Sequence, residues 1–319
     1  MHVKSVCGSI GLMMVMILGG CARVSDGTSR STTSVSPGST ATVAGPVALP
    51  ESEPRQRISE GYGATVLVDD QPVAPGRSAM DVLRASTPVE TAYGGGFVAG
   101  MYGRVSSTKP RRDWMYFVNG VAPGVGAADY TVRPGDRIWW DFRRWDDTTP
   151  TLPVIVGSWP EPFVHGYPAA PESVQADAPL DAVLSRQGVR VSSRPSSWRV
   201  IVGANADLVA RDAAWRRALA DPTAAGLPVR IDGGAISVMA VDGGRMRPVA
   251  GAGAVAAMVL SNAGPEQGGV VFVVAGVDRS AASAAARAIA AGPALLAGQV
   301  AVVFDRTGRP LASAGHAAP

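Results

Sequence analysis

A glutamate and a histidine four positions apart are the pair in this sequence most able to do acid–base or metal chemistry. They are Glu161 and His165, in the proline-rich run Trp159-Pro-Glu-Pro-Phe-Val-His-Gly166. A carboxylate beside an imidazole can hold or pass a proton near neutral pH. The two groups could also be metal ligands, but two ligands do not close a secure metal site. The other histidines, His2 and His316, stand at the chain ends. A lone histidine in a loop is most often structural. No catalytic residue or metal ligand is therefore assigned, no cofactor is expected, and the chain is read as a non-enzyme. Asp and Glu are plentiful, but no spacing favours a glycosidase pair.

Other catalytic signatures are missing. There is no Walker sequence, no Gly-x-Ser-x-Gly elbow and no His-Glu-x-x-His. Gly251-Ala-Gly253-Ala-Val-Ala256 echoes a dinucleotide fingerprint, which needs a strand before it and an acidic residue about 20 positions on. Arg245 to Pro248 is a poor strand, and Asp278 lies too far along. The stretch is read instead as a small-residue helix start.

The chemistry that the sequence does specify is at Cys21. Lys4 gives a positive n-region, and Ile10 to Leu18 is an apolar run too short for a comfortable membrane span. The run closes on Leu18-Gly19-Gly20-Cys21, small residues before a thiol that a lipid transferase can alkylate. This closely resembles the lipobox of bacterial lipoproteins. The resemblance implies cleavage between Gly20 and Cys21, lipidation of Cys21, and a membrane as partner. Residues 1–20 are then the signal peptide. Residues 21–60, rich in Ser, Thr, Gly and Pro, are read as a flexible tether. The cysteines number two, Cys7 and Cys21, so no thiol remains for a disulfide, a zinc site or a nucleophile.

The chain has 319 residues, enough for two domains. Its net charge of +3, with arginines scattered, argues against nucleic acid as a partner. A composition heavy in Ala, Gly, Val and Arg is that of a high-GC bacterium such as an actinobacterium. The anchor would then be the outer face of the cytoplasmic membrane.

Residues 62–147 read as a first domain. Ala64 to Val68 alternates like a strand, and Ser78 suits the N-cap of a helix over Ala79 to Ala85. Phe97 to Val105 reads as strand and hairpin. Trp114-Met-Tyr-Phe-Val118 is a strong strand followed by Asn119-Gly120, the strongest short hairpin signal. Pro134-Gly135 launches the last strand, Arg137 to Arg144. Ile138, Trp140 and Phe142 share one face of it, expected in the core. Trp139, Asp141, Arg143 and Trp145 share the other, which suits a domain interface, plain surface or a ligand platform. Lys109, Arg111 and Arg112 read as a solvated hairpin tip.

Ala79-Met-Asp-Val-Leu-Arg84, Gly94-Gly-Gly-Phe97, Trp114-Met-Tyr-Phe-Val-Asn-Gly120 and Arg133-Pro-Gly-Asp-Arg-Ile-Trp139 together resemble the transcobalamin C-terminal-like family. The resemblance implies a β-grasp domain, one helix on a mixed sheet. It also implies a corrinoid or other vitamin-like ligand. Trp139, Trp145 and Tyr116 would give apolar contact, and Asn119 with Arg143 would orient polar groups.

Residues 152–313 read as an α/β domain, with 314–319 a disordered tail. Val154-Ile-Val-Gly157 and Val200-Ile-Val-Gly203 are near copies, either a weak duplication or a common strand string. A helix is expected over Arg211 to Ala220, and paired strands around Asp232-Gly233-Gly234. A buried strand from Gly269 to Ala275, a helix from Ser280 to Ala291 and a strand from Gln299 to Phe304 follow. The fold class is thus α+β/α/β, a β-grasp-like domain followed by an α/β domain. The function expected first is a lipid-anchored extracytoplasmic ligand-binding protein. The alternatives are an envelope scaffold that binds protein, and a hydrolase-type enzyme using Glu161 and His165.

Overall fold

The computed structural model describes residues 53–145, 151–240, 245–262 and 268–316, all within one compact unit, Val47–Pro319. The expected signal peptide, the expected cleavage and lipidation site at Gly20 and Cys21, and most of the expected tether lie outside the described residues.

The first sheet begins with an antiparallel hairpin of β1 (Arg55–Glu60) and β2 (Thr65–Pro72). Helix α1 (Ala79–Ser86) follows, and the Ser78 hydroxyl accepts from the Asp81 N–H at 3.0 Å, capping an otherwise orphaned donor. Strands β3 (Glu90–Ala92), β4 (Phe97–Met101) and β5 (Arg104–Val105) make a small separate sheet. Strands β6 (Ser107–Thr108), β7 (Arg111–Val118) and β8 (Arg137–Arg144) complete the main one, in order β2-β1-β8-β7-β6. β8 runs parallel to β1 and antiparallel to β7. A hairpin, one helix and a last strand returning beside the first make the β-grasp arrangement.

Residues 55–60, expected as the end of the tether, are instead a central strand. Arg-Gln-Arg-Ile-Ser-Glu has one aliphatic residue, Ile58, and so shows no hydrophobic period. Its burial is partly polar. Gln56 and Ser59 are fully buried; Gln56 Nε2 donates to Ser86 Oγ at 2.8 Å and Ser59 Oγ to Asp141 Oδ1 at 2.7 Å. Asn119-Gly120 does form a tight turn, with φ of 53° and 77° and Val118 and Val121 exchanging both backbone hydrogen bonds. The partner of β7, however, arrives only at Arg137.

The remaining elements are β9 (Gln175–Ala176), α2 (Leu180–Arg186), β10 (Arg199–Ala204), α3 (Asn205–Arg211), α4 (Ala213–Ala220), β11 (Val229–Asp232), β12 (Ala235–Met239), β13 (Met246–Pro248), β14 (Ala252–Leu260), β15 (Val270–Gly276), α5 (Arg279–Ala291), β16 (Val302–Asp305) and β17 (Pro310–Ser313). Six form a mixed sheet in order β17-β16-β14-β15-β10-β9, and β11, β12 and β13 form a smaller one. Val270, Phe272 and Val274 of β15 pack in one apolar cluster with Ala281, Ala285 and Ile289 of α5. Val271, Val273 and Ala275 pack in the other, with Leu208 of α3 and Trp215 of α4. This is a helix–sheet–helix layering, with both faces of the sheet dry.

Three expectations are corrected here. Gly251 to Ala256 does not start a helix; it enters β14, whose Ala254 and Ala256 lie in the same cluster as the alanines of α5. Small residues on both partners allow close approach. Val154 to Gly157 is not a full strand: Val154 makes one bridge to Val121, and Val156–Ser158 is a 3-10 turn. Residues 314–316 do not start a frayed tail. Ala314 is fully buried, its N–H bonds Ala301 O, the Gly315 N–H bonds Met239 O at 2.7 Å, and His316 Nε2 sits 3.1 Å from Tyr62 O.

Candidate functional site

The five expected ligand residues do not converge. Register pairs Tyr116 with Trp140 and Phe117 with Trp139, so Tyr116 stands on the helix face, opposite to Trp139. Its ring stacks on Trp140 at 5.1 Å and its hydroxyl donates to Val125 O at 2.5 Å. Burial raises its pKa above the ordinary tyrosine value, with the Tyr167 and Asp129 fields adding to the effect.

Asn119 is fully buried. Its amide donates to Asp136 Oδ1 at 3.0 Å and to Gly166 O at 2.7 Å, and its carbonyl accepts the Arg137 N–H at 2.8 Å. It ties the start of β8 to the loop that carries His165, with both amide hydrogens engaged within the protein. Arg143 is buried over the rings of Tyr62, at 5.3 Å, and Phe117, at 4.8 Å. Burial lowers its pKa against the Asp141 field, and its Nη1 has no hydrogen-bond partner. Trp145 lies partly exposed at the sheet end, its indole N–H donating to Asp113 and Arg111 above its ring.

Trp139 is different. Its indole is buried, donates to Ser59 Oγ at 2.6 Å, and lies against Gly157, where a Cβ would come within 2.7 Å of the ring. Trp139 also borders a 470 Å³ cleft, lined besides by Arg55, Arg57, Asp69, Asp70 and Arg137 from the β-grasp sheet and by Ser158, Glu161 and His165 from the following loop. Arg55, Arg57, Arg137 and Trp139 share one sheet face, because Arg55 pairs with Arg137 and Arg57 with Trp139. Arg55 and Arg57 were not singled out in the sequence, because residues 55–60 read as tether. The alternation of Arg55, Arg57 and Ser59 against Gln56 and Ile58 was the available signal.

Glu161 and His165 do meet. His165 Nδ1 is hydrogen-bonded to Glu161, and the His165 backbone N–H donates to Glu161 Oε2 at 2.9 Å. Glu161 is buried, and the outer edge of the imidazole packs on Gly135, where any Cβ would collide with it. The Glu161 hydrogen bond raises the His165 pKa; partial burial opposes this, the Glu161 and Asp136 fields reinforce it and Arg137 opposes it. The pair can therefore hold a protonated imidazole at the cleft wall. Among the described residues no group of three or more His, Cys, Asp or Glu could hold a metal ion, and no helix is long and apolar enough to cross a membrane.

A β-grasp sheet joined to an α/β layer, with a charged cleft at the junction, defines a mixed α+β protein. Residues 76–144 match the family model described as a domain of unknown function (DUF4430), a transcobalamin-like domain family. The match runs from just before α1 to the end of β8, within the 62–147 span of the sequence resemblance. No curated protein matches the chain.

Proposed function

We propose that this chain is a lipid-anchored extracytoplasmic binding protein, held by a lipid on Cys21, that carries a small ligand in the cleft beside Trp139. The observation that carries this is the cleft itself. Its 470 Å³ lies within the usual range for ligand sites, and Arg55, Arg57, Arg137, Glu161 and His165 converge on it as polar groups. The transcobalamin-like match supports a vitamin-like ligand, a corrinoid among the candidates. Binding without catalysis fits an imidazole whose Nδ1 is engaged by Glu161 and whose outer edge is covered by Gly135. The test is native mass spectrometry of the chain purified from its own host, before and after unfolding. A small mass lost on unfolding supports the reading. A clean mass, together with no thermal shift from corrinoids or other vitamins, would move the assignment to an envelope scaffold.

The Glu161–His165 contact also favours a second reading, acid–base catalysis in the cleft. Turnover of a candidate ligand that is lost in Glu161→Gln while binding persists would establish it. Binding with no turnover in the unaltered chain would dismiss it.

A further inference from the structure

The cleft keeps carboxylates of its own between its guanidinium groups. Arg55 and Arg137 are direct partners in the parallel ladder of β1 and β8, and like charges so placed repel. Asp70 offsets that repulsion. Its carboxylate takes Arg137 Nη1 at 2.9 Å and Arg55 Nη1 at 3.2 Å, and its carbonyl takes Arg55 Nη1 at 2.7 Å. Asp69 takes Arg57 Nη2 at 2.5 Å.

Consecutive strand residues ordinarily point to opposite faces. Here Asp69 and Asp70 both reach the arginines, because the hairpin register slips. Ile58 pairs with Val68, but Gln56 pairs with Gln71, leaving an extra residue on β2. Asp70 has a left-handed φ of 48°, uncommon for a residue with a side chain. Bulges that re-aim side chains in this way concentrate at sheet edges and beside functional sites, and β2 is the edge strand. The carboxylates are 63% and 57% exposed, so these are surface ion pairs, individually weak and open to exchange.

We propose that the cleft binds its ligand through an oxyanion, a phosphate or a carboxylate, that takes the place of Asp70 between Arg55 and Arg137. This rests on the cleft being the recognition site. Asp70 shows that the space between the two forks accepts an oxyanion. Guanidinium forks suit both oxyanions.

The test is calorimetric titration of the full chain with pyrophosphate and, separately, with citrate, at fixed ionic strength. Saturable binding of at least one is expected, and which one binds tells phosphate from carboxylate. Arg137→Gln should weaken that binding about tenfold or more. Asp70→Asn should tighten it by about threefold, because it removes the one carboxylate that both guanidinium groups share, although Glu53 still faces Arg55 at 3.8 Å. A bulge with a purely structural role predicts the reverse: Asp70→Asn lowers the melting temperature and does not improve binding. Arg55→Gln repeats the test if Arg137→Gln does not fold. Binding of neither anion, or binding indifferent to these substitutions, overturns the proposal. If neither anion binds and a neutral co-purifying ligand is lost from Trp139→Ala, the anion proposal fails and the cleft remains the site. If that ligand stays bound to folded Trp139→Ala, the cleft reading fails as well.

Discussion

The two large sheets of this protein bury their faces in different ways. The six-stranded sheet is apolar on both sides. Val271 and Val273 enter one cluster, and Phe272 and Val274 enter the other. The β-grasp sheet is apolar along its whole face towards α1, through Ile58, Ile138, Trp140 and Phe142. Its other face runs from Phe117 and Trp139, which are buried, to the ion-paired Arg55, Arg57 and Arg137 at the cleft. A sheet with two dry faces gives stability and little chemistry. A sheet covered over only part of one face leaves charged groups next to a cavity.

If that contrast holds, the largest loss of stability should come from the α/β sheet. Phe272→Ala should cost about 3–5 kcal/mol, because a buried ring whose centroid lies 4.3 Å from that of Trp159 leaves a cavity. Urea unfolding measures this, and a loss below that of a cleft substitution would reverse the comparison. Next comes the polar clasp of the β-grasp sheet. Asn119→Ala strands the Arg137 N–H and Gly166 O and should cost about 2–3 kcal/mol. A near-neutral result in the same assay would mean that the clasp is dispensable.

A smaller effect is expected from pH. The folded protein raises the His165 pKa above its unfolded value of 6.5, so the protonated imidazole is favoured in the fold. Its contribution is fully present below that value and is lost as pH rises through the folded pKa. Melting temperatures of the unaltered chain and of His165→Gln should therefore lie furthest apart below pH 6.5 and converge above the folded pKa. Parallel curves would show that the Glu161 contact does not favour the charged ring. The smallest effect belongs to Arg57. Its partner Asp69 is exposed, so Arg57→Gln should change stability by no more than about 1 kcal/mol, read from the same unfolding curves. A loss comparable to that of Asn119→Ala would make the arginine face structural.

The legible parts of the sequence were those with strong periodicity or an unambiguous turn. Trp114 to Val118, Val270 to Ala275 and the Ser78 cap stand where the pattern put them, as does the turn at Asn119-Gly120. The strand from Arg55 escaped because hydrogen bonds, not apolar alternation, bury Gln56 and Ser59. Strand β14 escaped because alanine and glycine carry no strand signal, and only the alanine-rich α5 packed against it makes them suitable. The candidate site was half visible. The spacing of Glu161 and His165 raised them as a pair while the reading favoured a lone structural histidine, and the alternation along β8 gave the separate face of Trp139. Tyr116 was misplaced although the same period of two, carried across the β7–β8 register, assigns it to the helix side. The convergence of Asp69 and Asp70 on three arginines depends on a one-residue register slip, which no local pattern encodes.

The most direct test of the central claim is hydrogen exchange on the chain as isolated from its host, compared with the same chain stripped by unfolding and refolding. The account predicts that the isolated form is protected at residues 55–57, 69–70, 137–139 and 158–165. Protection confined elsewhere, or none at all, would contradict the assignment of the cleft as the recognition site.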